Sequence, residues 1–132
     1  KADFIRKEAE ASGPIMPGHP VEFGGARELR VHSVAGGPAR KAWALENDII
    51  GRGIDDAYAL GEVVQYGLFP PGAEVYAYIA YGETVTQGEG LESAGDGTLR
   101  VVTTGEIVAW AMEDLDLSAG GGEATRTRVE VA

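Results

Sequence analysis

The sequence predicts an all-β domain with an extended N-terminal arm, and three observations predict it. Apolar and polar residues alternate with period two in several short segments. Glycine supplies 20 of the 132 residues, roughly twice its average share. These glycines, with the prolines, fall in ones and twos between the apolar segments, where turns belong. A chain of this length buries a core without disulfides or metal and makes one domain. Cysteine is absent, which removes thiolate zinc sites and thiol nucleophiles and leaves the redox compartment open.

Residues 1–13 read as the arm, and residues 14–132 as the single β-rich domain. In the arm Phe4 and Ile5 stand among charged residues with no periodic apolar face, so the segment buries too little by itself to offset the entropy of ordering. It reads as a frayed end or as an extension that orders on a partner. Phe4, Ile5 and Arg6, with Ile15 just beyond, have the chemistry of anchors for such a contact.

Pro14, Pro17 and Pro20 exclude a helix at the start of the domain. Val21–Phe23 and Leu29–Val34 then alternate as half-buried strands, and Gly36-Gly37-Pro38 turns the chain. Ala42–Leu45 is an apolar stretch. Residues 55–60 read as one helical turn or a loop, and Glu62–Tyr66 as a strand. After Pro70-Pro71-Gly72 comes the best strand of the sequence, Glu74–Tyr81. Its two faces are both apolar or aromatic, which predicts that both are covered. Ala94-Gly95-Asp96-Gly97 is a tight turn with Leu99–Val102 as its return strand. Ile107–Met112 is apolar, a short helix is expected near Met112–Leu117, and Thr125–Val131 alternates cleanly as the last strand.

One internal echo stands out: Ala42-Trp43-Ala44-Leu45-Glu46-Asn47 recurs as Ala109-Trp110-Ala111-Met112-Glu113-Asp114. It implies two related halves, each with a strand that carries a tryptophan between small residues. Trp43 and Trp110, with Tyr76 and Tyr78 of the aromatic-rich middle segment, are the candidates for core or oligomer-interface positions.

The formal net charge is −10, and no Lys or Arg falls between Arg52 and Arg100. Nucleic-acid binding relies on Lys and Arg neutralising phosphates, so DNA, RNA and anionic membranes are not expected partners. No apolar run approaches the ~20 residues that span a bilayer, and no signal peptide is read at the start. The search for catalysis finds no constellation. His19 and His32 lack metal-ligand spacing and read as surface or capping residues, and no serine sits in a nucleophile elbow. Asp48, Asp55 and Asp56 have calcium-ligand chemistry without the EF-hand spacing. No cofactor, no metal and no enzymatic activity are expected.

The order of elements carries a resemblance. It runs from Ala42-Trp43-Ala44-Leu45-Glu46 through Gly51-Arg52-Gly53-Ile54-Asp55-Asp56-Ala57-Tyr58, Gly61–Val64 and Pro71–Val75. It continues with Gly82-Glu83-Thr84-Val85-Thr86-Gln87-Gly88-Glu89-Gly90-Leu91 and Ser93–Leu99, and closes with Ile107–Glu113, Leu117-Ser118 and Thr125–Val131. In that order these elements resemble the capsid decoration (cement, head-stabilising) proteins of tailed bacteriophages, many of which have a compact, barrel-like β domain called a β-tulip. The resemblance implies a virion protein on the outer surface of a mature capsid, its partner the major capsid protein, clamping neighbouring capsid proteins together, often as a homotrimer. Another virion or surface-layer role is the alternative: a head-fibre base, or a tail or shell component. A small β-fold ligand-binding module or enzyme is a third, and it requires a deep pocket with convergent polar groups.

Overall fold

The computed structural model describes residues 4–25, 27–47, 50–119 and 123–132. Among these, twelve strands and no α-helix are found. The strands are β1 (Ile5–Glu10), β2 (Val21–Phe23), β3 (Leu29–Val31), β4 (Ala42–Ala44), β5 (Val63–Leu68) and β6 (Glu74–Ile79). They continue as β7 (Thr84–Val85), β8 (Gly90–Ser93), β9 (Leu99–Val101), β10 (Ala109–Ala111), β11 (Leu115–Asp116) and β12 (Thr125–Val131).

Five strands close into a barrel in the order β10-β12-β6-β9-β8. Period two puts Val75, Ala77 and Ile79 of β6 inside, with Leu91, Leu99, Ala109, Ala111, Val129 and Val131 from the other walls. Alternating small and large residues fill a barrel this narrow with side chains. The expected hairpin is present as β8 and β9, paired from Leu91↔Val101 to Ser93↔Leu99.

A second lobe is the open sheet β1-β5-β4, beside the β2–β3 ribbon. Its own core gathers Ile15, Val21, Leu29, Tyr58, Val64 and Tyr66 with Ala42 and Ala44. The N-terminal segment has a partner within the chain: β1 pairs antiparallel with β5 from Ile5↔Leu68 to Glu10↔Val63. Backbone pairing asks little of side-chain pattern, so a charged, non-periodic segment takes the edge of the sheet.

One local expectation is corrected, and an open one is decided. The helix near Met112–Leu117 is absent, because Leu115 and Asp116 pair with Val85 and Thr84 as β11. Asp116 accepts from the Ser118 backbone N–H and hydroxyl, local bonds that compete with a helix, and from the Thr84 hydroxyl across the β7–β11 pair. Residues 55–60 are a loop in which Tyr58, bridged to Ile15, is buried.

The lobes meet through Trp43 and Arg126. Trp43 leaves its own sheet, enters the barrel-side core and meets Phe69 edge-on at 6.0 Å. Arg126 lies over the Tyr78 ring at 4.5 Å, donates to the Pro17 and Ile54 carbonyls and pairs with Asp55 at 2.9 Å. One guanidinium from β12 thus holds two loops of the other lobe.

Candidate functional site

The most chemistry-like group is buried. Ser93 Oγ lies 2.6 Å from His32 Nδ1, His32 Nε2 lies 3.0 Å from the Pro38 carbonyl, and Glu22 is 3.7 Å from the same nitrogen. The carbonyl only accepts, so Nε2 carries the proton and Nδ1 accepts from the serine hydroxyl. That hydroxyl also accepts from the Gly95 N–H at 3.1 Å. The arrangement imitates an activated nucleophile, yet Ser93 and His32 are both buried. It ties the β3 loop to barrel strand β8 and presents no hydroxyl to a substrate. His32 is therefore not the surface residue expected from its charged neighbours. His19 does cap, its Nδ1 accepting from Met16 N–H at 3.1 Å, but it is also packed against Tyr78. Burial pushes its pKa down to about 4, against the pull of Asp96 and with the help of Arg126.

Glu92 is fully buried although the sequence places it in an acidic stretch. Arg100 Nε–H at 2.6 Å, the Gly105 N–H at 2.8 Å and both donors of Thr103 at 3.2 Å satisfy it. Burial pushes this carboxyl up; the Arg100 bond, the backbone donors and the arginine charge outweigh that and hold it below its ordinary value. Of the aspartates with calcium chemistry, Asp55 is taken by Arg126 and Asp56 caps the Gly53 N–H at 2.7 Å. Asp48 lies outside the described residues. Among the described residues no three His, Asp or Glu converge on a cation site.

The surface is more informative. Phe4 stacks on Phe69 with ring centres 4.7 Å apart, and Ile5 beside it is 61% exposed. With Leu68 and Pro70 they line an apolar hollow. A groove of about 350 Å³ adjoins it, running between the lobes past Arg6, Ile54, Glu74 and Tyr76. Three of the arm candidates, Phe4, Ile5 and Arg6, therefore come together, and Tyr76 joins them from the barrel. Ile15 does not: it is buried in the second core. Trp43 is core as well.

Tyr78 is half-buried against His19 and Arg126, whereas Tyr76 is 51% and Trp110 40% exposed. The outer face of β6 is thus only partly covered, a correction to the reading of two covered faces. Tyr76 and Trp110 both stand on the outside of the barrel wall formed by β6, β12 and β10. No signal in the sequence separates the exposed Trp110 from the buried Trp43.

No protein-family model matches the sequence, and no curated protein is significantly similar to it. Among solved structures, the fold is similar to the N base of the head fibre protein gp8.5 of bacteriophage phi29. The TM-score is 0.63 at 13% identity, over 98% of this chain and 95% of that one. The all-β, barrel-containing fold class is thereby shown.

Proposed function

We propose that this chain is a structural component of a phage virion, serving as the base of a head fibre or a related attachment on the outer capsid surface. The observation that carries this reading is the fold likeness to a head-fibre base through nearly the whole of both chains. The apolar hollow of Phe4, Ile5 and Phe69 supports it, since a base must hold a protein surface and needs no reaction centre. Arg6, at the adjoining groove, supplies a charged rim. The partner in this reading is the major capsid protein.

The clamping role drawn from the decoration-protein resemblance is the finer alternative on the same surface. The two readings differ in consequence: a clamp raises the temperature at which empty shells disrupt, and a fibre base leaves it unchanged. The test mixes purified protein with shells of its phage prepared without it and measures co-sedimentation, shell melting and, by light scattering, the mass of the free protein. Saturable binding at a fixed ratio to capsid protein is expected, with the trimer implied by the resemblance as the expected mass. Shells that take up no protein overturn both readings.

A further inference from the structure

On the outside of the barrel, the pairing registers set Trp110 opposite Glu130 and Glu130 opposite Glu74. The next row sets Arg128 opposite Tyr76. Arg128 pairs with Glu113 at 2.8 Å and reaches Glu74 at 3.7 Å. Glu130 has no ion pair or side-chain hydrogen bond among the described residues. Arg128 is thus shared by Glu113 and Glu74, and the unpaired Glu130 stands directly across the neighbouring strand from Glu74. Like charges in that arrangement oppose folding. Trp110 lies across Gly90, its ring 3.3 Å from where a Cβ would stand, and the residue is 40% exposed. The face is continuous with the groove beside Phe4, because Glu74 and Tyr76 belong to both.

We infer that this face is a second part of the virion contact, and that it accepts an arginine or lysine side chain of the partner protein between Glu74 and Glu130. The cation offsets the repulsion of the two carboxylates, and the half-exposed Trp110 on the next strand flanks the site with aromatic surface. A second copy of this chain does not fit, since it brings the same surplus of carboxylates on a molecule of net charge −10. The partner's identity as capsid shell rests on the virion reading above; the charge and shape of the socket do not.

The test uses the same shell binding with the full chain. Glu130→Lys and Trp110→Ala are each expected to weaken binding by ~10-fold or more, and Glu130→Gln to flatten its salt dependence. Glu28→Lys, a control reversal on the β2–β3 turn, is expected to leave binding within about twofold. A measurement without shells accompanies it: Glu130→Gln is expected to raise Tm by about 1–3 °C by relieving the like-charge pair. Wild-type binding that Glu130→Lys and Trp110→Ala leave intact overturns the socket while the virion reading stands. Failure of the wild type to bind overturns the virion reading and the shell as partner. An unchanged or lowered Tm for Glu130→Gln removes the repulsion on which the socket is argued.

Discussion

Strands β4 and β10 carry the same Ala-Trp-Ala sequence, and each sets its tryptophan opposite a glycine: Trp43 opposite Gly67 on β5, Trp110 opposite Gly90 on β8. In both, the flanking alanines face the core of their own sheet. The outcomes differ: Trp43 is 1% exposed and Trp110 40%. β4 belongs to an open sheet whose tryptophan side is roofed by the barrel, whereas β10 is itself barrel wall and its tryptophan side points outward. Period two decides which way a side chain leaves a strand; only a third layer decides whether anything waits there. The roofed copy has a cost of its own, because the Trp43 indole N–H is buried without an acceptor among the described residues.

The comparison breaks most visibly at the two tryptophans. Trp43→Ala is expected to cost about 3–5 kcal/mol in urea unfolding, because the seam between the lobes loses its main filler. Trp110→Ala is expected to cost less than about 1 kcal/mol. Trp43→Phe should fall well below Trp43→Ala, since it keeps ring volume and removes the unsatisfied N–H. Equal costs for Trp43→Ala and Trp110→Ala would contradict the packing described.

Acid probes the same seam through His19, which packs against Tyr78 of the barrel. Its folded pKa of about 4 lies below the ordinary 6.5, so the unfolded chain takes up the proton first. Stability is therefore full above about pH 6.5 and declines as pH falls toward 4, by up to about 3 kcal/mol. His19→Gln should flatten that part of the stability–pH profile; an unaltered slope there would show that His19 is not its source. Glu92, with its lowered pKa, adds a loss that begins only below its ordinary value of 4.5.

The paired glycines sharpen the comparison further. A Cβ at Gly67 would stand 2.8 Å from the Phe4 ring and 2.9 Å from the buried Phe69 ring on which it stacks. One at Gly90 would meet the tip of Ile107 at 2.8 Å and the ring of the half-exposed Trp110 at 3.3 Å. Gly67→Ala is thus expected to cost about 1–3 kcal/mol and Gly90→Ala less, compared by thermal melts. The smallest effect is optical: iodide should quench the emission of a Trp43→Phe variant, which keeps Trp110, and leave that of Trp110→Phe nearly untouched.

Much of the strand content was legible. The alternation of Glu74–Tyr81 and Thr125–Val131 marks β6 and β12, and the Gly95-Asp96-Gly97 turn marks the β8–β9 hairpin. The candidate contact surface was half legible, in that Phe4, Ile5 and Arg6 stand out as apolar and cationic anchors in a charged segment. Ile15 was misplaced because an isolated isoleucine among prolines looks alike whether it is bare or, as here, bridged to Tyr58. His32 was misplaced for a related reason, and the burial of Glu92 shares it. Their burial depends on Ser93 and on Arg100, Thr103 and Gly105, partners that no local pattern announces.

The sequence by itself determined that the chain is β-rich, acidic and divided by turns, and which residues leave each strand on the same side. These follow from nearest-neighbour sterics and a period of two, which act within a few residues. The tertiary structure alone decided that β10, β12, β6, β9 and β8 close on one another, that β1 takes the edge of β5, and that one tryptophan is roofed while its twin is bare. Those outcomes come from contacts between segments distant in the chain, where backbone hydrogen bonds pair almost any sequence and burial depends on what packs above.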